Sequence, residues 1–223
     1  MADFGGECRV VVAVPACREW PFTTQWRTTA VGRFAKQALR IAERLEHGAG
    51  VDAVFYGRTA GGDEKAVRTR LEAAGRDEWL RDWTFLPDSA VDLSKEPGRG
   101  AGLRQHFGAG LERWSVPPLS GVRGVFEATA ERPGCTLVLF WLDDGPAEQF
   151  NDVLFFLRRH ATPGVFWQFF TVVQHARTDR FWKRDGRHRG ADLPDVRFRS
   201  TWRARPVVRD FRRWARQSPG TSA

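Results

Sequence analysis

The chain has 223 residues, 42% of them hydrophobic, which suits one large domain with a core of its own rather than a disordered chain. It contains no run of eighteen apolar residues, which excludes a transmembrane helix. Its net charge is +8, and only four of its 35 basic residues are Lys, so an anionic partner is one function class the composition raises.

In chain order, "RVVVAV" at 9–14 is a β-branched run closed by Pro15 and predicts a buried strand. Phe34, Ala38, Ile41, Ala42 and Leu45 recur at helical spacing and predict an amphipathic helix over 31–46, ended by "HGAG". "VDAVFYG" at 51–57 predicts a second strand. In "DEKAVRTRLEAAG", 63–75, Asp63 fits an N-cap and Gly75 a stop, so a helix is expected. "DEWLRDW" adds a helical turn, and 87–102 reads as loop. "GLRQHFGAGLERW" predicts a helix broken by "PPLSG", and "VRGVFEATAER" a further one. "CTLVLFWL" at 135–142 is the clearest central strand. Residues 146–161 predict a helix with Phe150, Val153, Leu154 and Leu157 on its apolar face. "PGVFWQFFTVV" at 163–173 is another buried strand, followed by a short strand near Val196 and a terminal helix, "PVVRDFRRWARQ".

Strands alternating with helices imply an α/β fold with a mainly parallel sheet covered on both faces. Ligands of such sheets bind at the carboxyl ends of the strands. The turn from Pro15 to Glu19 lies at one such end, and Asp143 and Asp144 at another. Cys8, Cys17 and Cys135 are odd in number, lack C-x-x-C spacing and sit in or beside apolar runs, so neither a structural disulfide nor a zinc site is expected. "MADFGGECRVVVAV" has no basic region ahead of its apolar stretch, so no signal peptide is expected and a reduced, cytoplasmic protein is.

Five blocks in order resemble the von Willebrand factor A (vWA) domains of bacterial tellurite-resistance-type stress proteins. They are "VVVAVPACREW", "GVDAVFYG", "LFWLDDG", "TPGVFWQFFTVV" and "GADLPDVRF". "FWQF" is the most specific of them, and the blocks span roughly residues 8 to 200, with 58–120 matching poorly. The resemblance implies a three-layer vWA-like domain over 1–203, divergent in 58–120, with 204–223 as a basic C-terminal helix and tail. It also implies a Mg²⁺ site with oxygen ligands from D-x-S-x-S, a threonine and a later aspartate. Here the D-x-S-x-S positions read Pro15, Cys17 and Glu19, the threonine position falls near Val122, and Asp144 alone survives. Proline and valine offer no ligand and cysteine is too soft for Mg²⁺, so the site reads as degenerate and no cofactor is expected. A plainer role for Asp144 is to cap the following helix.

The implied function is a non-enzymatic protein-interaction module of a bacterial stress-response or conflict system. Trp20, Phe22 and Trp26, on the loop after the first strand, would anchor a protein partner, with Glu19, Asp143 and Asp144 as polar neighbours. The same aromatics would equally seal the vacated metal cavity. One alternative is a metal-dependent hydrolase whose site is rebuilt from Glu19, Asp143 and Asp144. Another is nucleic-acid association through Arg203, Arg205, Arg209, Arg212, Arg213 and Arg216, where Arg alternates with Phe and Trp as base stacking and phosphate neutralisation require. Against base stacking stands the spacing of Val207, Phe211 and Trp214, which is that of one buried helical stripe. For nucleophilic catalysis Cys17 follows a strand, yet no motif ties it to His106, His160, His175 or His188. No G-x-S-x-G, Walker A or G-x-G-x-x-G occurs, and "GRGAGLRQHFGAG" does not follow a predicted strand. No membrane partner is expected.

Overall fold

The computed structural model describes residues 8–16, 24–45, 50–59, 61–83, 100–108, 118–131, 134–142, 147–160, 163–171, 193–199 and 203–217. They form one six-stranded sheet with helices. Strands are β1 (Arg9–Pro15), β2 (Gly50–Arg58), β3 (Glu64–Glu72), β4 (Thr136–Leu142), β5 (Val165–Thr171) and β6 (Val196–Arg199). Helices are α1 (Thr24–Arg44), α2 (Arg76–Trp83), α3 (Ala101–Phe107), α4 (Pro118–Ala130), α5 (Ala147–Arg159) and α6 (Ala204–Ala215). The strand order is β3-β2-β1-β4-β5-β6. Every neighbouring pair is parallel except β2–β3.

The central strands β1 and β4 are apolar almost throughout because both sides of each are covered. All seven residues of β4 are buried, as are Val10 to Ala16 around β1. Successive side chains point to opposite faces, and they enter two separate clusters. Val10, Val12, Val14, Phe55, Leu139, Trp141 and Phe170 pack with residues of α1, α2, α3 and α6. Val11, Ala13, Tyr56, Phe140, Trp167 and Phe169 pack with residues of α4 and α5. Both clusters are rich in rings: Phe55 stacks on Trp83 at 4.7 Å, and Phe169 meets Phe140 at 5.2 Å and Phe198 at 5.3 Å.

The segment expected to be a helix over 63–75 is instead the edge strand β3, antiparallel to β2. Its buried residues, Val67 and Leu71, are four apart, which one helical face and one strand face satisfy equally. Pairing with β2 decides between them. Thr59 N donates to the Asp63 carbonyl at 2.9 Å, closing a hairpin loop in which Gly62 takes φ 87°. Gly75 does not stop a helix; its carbonyl accepts from Trp79 N at the start of α2. Exposed Arg68 and Arg70 charge this edge, as isolated edges require.

Three boundaries also differ from expectation. α1 begins at Thr24, so Trp26 lies in a helix rather than a loop, and its side chain is outside the described residues. "PPLSG" breaks nothing: Pro118 opens α4, where a missing N–H costs little. The helix expected over 102–114 stops at Gly108, with φ 80°. Among the described residues no helix is long and apolar enough to cross a membrane.

Candidate functional site

β1 lies between β2 and β4, so the connections from these strands leave in opposite directions along the sheet. Such a reversal opens a crevice beyond the carboxyl ends of the two central strands, here β1 and β4. The described floor of this place is built from Pro15, Ala16, Tyr56, Gly57, Trp141 and the first turn of α4. Ala16 N donates to the Tyr56 carbonyl at 2.7 Å, which continues the β1–β2 ladder past the end of β1. Tyr56 Oη donates to the Trp141 carbonyl at 2.6 Å, reaching from β2 across β1 to β4. This is the only tyrosine of the chain, and it is wholly buried.

Small residues permit the close packing around it. A Cβ on Gly121 would stand 2.5 Å from Tyr56 Cδ1 and 2.9 Å from Phe140 Cζ. A Cβ on Gly57 would stand 2.7 Å from the Ala16 carbonyl oxygen. Ser120, 5% exposed, brings a hydroxyl into the first turn of α4, a position sequence reasoning passed over in favour of Val122. The one available signal was its place just after a proline able to open a helix.

Of the residues expected at this rim, Cys17, Glu19, Trp20, Phe22, Asp143 and Asp144 lie outside the described residues. The described positions do not fit a Mg²⁺ cage. Pro15 ends β1 without a side-chain oxygen. Val122 sits on α4 rather than in a loop, fully buried against the sheet with Val11 and Phe140. Among the described residues no three His, Cys, Asp or Glu side chains gather as a metal-holding group. His106 stacks on Trp83 at 5.8 Å and His160 meets Phe156 at 4.4 Å, while His175 and His188 lie outside the described residues.

The chain matches no protein-family model, and no curated protein matches it in sequence. Geometry and residue chemistry therefore carry the functional reading.

Two further constellations emerge near the other end of the strands. Cys8 and Cys135 precede β1 and β4, whose register pairs Arg9 with Thr136, and their thiols are hydrogen-bonded to each other. The bond from Cys135 holds the Cys8 thiol below its ordinary value, against its burial and with help from Arg212. Cys135 is pushed far up by the same bond and by burial. The spacing of 8 and 135 in the sequence gives no hint of this pairing.

The second is a groove lined by Arg44 from the end of α1 and by Arg205, Arg209, Arg212, Arg213 and Arg216 of α6. Arg212 donates to the Arg44 carbonyl at 2.7 Å, satisfying one of the carbonyls left over at the end of α1. Arg203 is exposed at the N-cap of α6 and does not line the groove. Phe211 and Trp214 are buried against Phe166, at 6.0 and 5.3 Å between ring centres. Trp214 Nε1 donates to Asp195 at 2.5 Å. These two rings are part of the core and cannot stack on bases.

Proposed function

We propose that this chain is a non-enzymatic protein-interaction module of a bacterial stress-response or conflict system, working in the cytoplasm. In this reading it is a three-layer domain similar to vWA domains whose metal-binding face has become a metal-independent docking face. One observation carries the proposal: the strand order reverses at β1 and β4, while Pro15 and Val122, which stand at two of the ligand positions that the resemblance implies, supply no side-chain oxygen. On this reading the crevice is kept and its ion chemistry is lost. Trp20, Phe22 and Trp26 act as apolar anchors for the partner, and Glu19, Asp143 and Asp144 orient it. The described carboxyl ends of β1, β2 and β4 are tied together by the Tyr56–Trp141 hydrogen bond, and Gly121 packs closely against Tyr56 there, which suits a docking face that needs a rigid base.

The test is photo-crosslinking in the native host, with a photoreactive residue at position 20 or 22 and a control at Phe155, an exposed residue of α5. A discrete crosslinked protein is expected from 20 and 22, absent from 155, and undiminished by a chelator. Equal crosslinking from all three positions would sink the docking face. Loss of the crosslink on chelation would sink the metal-independent mode.

A further inference from the structure

We infer that the arginine groove between α1 and α6 is a binding surface for the phosphate backbone of duplex nucleic acid, read without regard to base sequence. It is independent of the docking face proposed above. It lies near the opposite end of the strands, where α1 ends and where Arg212 acts on Cys8 at the start of β1.

Helix geometry fixes the charge pattern. At 3.6 residues per turn, positions 205, 209, 212, 213 and 216 fall within an arc of about 100° and span about 16 Å of helix. Val207, Val208, Phe211, Trp214 and Ala215 occupy the opposite arc, and all are buried in the core. The helix therefore cannot rotate its arginines away from solvent without unpacking. Arg44 adds a sixth guanidinium from a second element, so the surface is a tertiary one and not a property of the C-terminal segment alone.

Among the described residues this charge has little neutralisation. No carboxylate among the described residues lines the groove. Among the described residues, Asp210 is the one carboxylate paired with a lining arginine, 3.6 Å from Arg209. Arg205, Arg213 and Arg216 are exposed and have no such pair. A row of guanidinium groups suits phosphate, which accepts two parallel N–H bonds from each fork. Duplex DNA supplies about one negative charge per 1.7 Å of axis, so a 16 Å row meets many phosphates at once.

The neighbourhood argues against other anionic partners. A membrane-binding face needs apolar anchors beside its charges. Among the described residues the one large exposed hydrophobic is Phe155, on α5, which packs in the other cluster. Phe211 and Trp214 of α6 are buried, so these two rings offer no base stacking beside the groove. What is left is charge recognition of a dense, regular polyanion.

Fluorescence anisotropy with two 20-base-pair duplexes of unrelated sequence tests the inference, using the full chain. Both duplexes are expected to bind within about twofold of each other. With about five phosphates neutralised, log K should fall against log salt with a slope of about −4.5, roughly a 500-fold loss between 50 and 200 mM salt. The triple variant Arg205→Glu, Arg209→Glu, Arg216→Glu should bind at least tenfold more weakly, with a slope nearer −2. Arg44→Ala, remote in sequence from α6, should flatten the slope by about one and guards against misfolding of the triple variant. The inference is overturned by no duplex binding at 50 mM salt or by a slope flatter than about −2 for the unmodified chain. Competition by poly-glutamate as strong as that by duplex would overturn it in favour of an acidic protein. Tighter association with vesicles of phosphatidylserine would overturn it in favour of a membrane surface.

Discussion

Arg9 Nε donates to Asp52 Oδ2 at 2.7 Å, tying the beginning of β1 to the beginning of β2. The same guanidinium donates to the Ala128 carbonyl at 3.0 Å at the end of α4, and Arg70 of β3 reaches the other Asp52 oxygen at 2.8 Å. One carboxylate thus joins three strands through two arginines, and one of those arginines holds a helix. Burial raises the Asp52 carboxyl pKa, but the hydrogen bonds from Arg9 and Arg70 outweigh it and hold the carboxyl below its ordinary value. A depressed folded value means that the stabilisation is present above the unfolded value of about 3.9 and is lost as pH falls below it. Asp52→Asn should cost about 2 kcal/mol at pH 7, as expected for charged hydrogen bonds at a half-buried site. The gap between wild type and variant should shrink on acidification through that window. Urea unfolding at pH 7 and pH 3 measures it, and an equal gap at both values would refute the assignment.

Two glycines of helices should respond in opposite directions to alanine. At Gly32 of α1 a Cβ meets only Leu80 Cδ1, at 3.7 Å, an ordinary contact. Gly32→Ala should therefore stabilise by about 0.5–1 kcal/mol through helix propensity. At Gly121 the same Cβ would be driven into the rings of Tyr56 and Phe140. Overpacking of about 1–3 kcal/mol should exceed the propensity gain there. Thermal unfolding of the two variants compares them directly.

Tyr56→Phe removes the hydroxyl that bridges β2 to β4 and leaves the buried Trp141 carbonyl without that donor. A loss of about 1–2 kcal/mol is expected in urea unfolding. If the crevice floor positions the docking loops, the crosslink from position 22 should weaken in the same variant while the fold is retained. A variant as stable as wild type would show that the bridge contributes nothing.

The Cys8–Cys135 pair should resist alkylation in the native state. Cys8 is 4% exposed, and the Cys135 thiol is held protonated by burial and by its partner. Iodoacetamide at pH 8 should leave both peptides unmodified under conditions that label them fully in urea. Peptide mass spectrometry distinguishes them from Cys17. Rapid native labelling of Cys135 would contradict its raised value.

Much of this molecule was legible in one dimension. β1, β2, β4 and β5 stand where their apolar runs predict, because a strand buried on both faces writes an unbroken hydrophobic signal. The stripe of Val207, Phe211 and Trp214 likewise foretold that α6 packs inward and turns its arginines out. The positions of the carboxyl ends of β1 and β4 were legible for the same reason, since strand ends are set by those runs.

What the chain could not declare locally is whatever depends on a partner far away in sequence. Val67 and Leu71 fit a helix or a strand, and only the ladder with β2 made them a strand. Tyr56 meets Trp141, Cys8 meets Cys135, and Arg44 joins the arginines of α6 only because the sheet and its helices bring distant segments together. By itself the sequence determined which segments are apolar and which face of each helix turns inward, since both follow from local periodicity. Strand pairing and helix docking decided the edge hairpin, the thiol pair and the composition of the basic groove, because each is a contact between surfaces that local propensity does not encode.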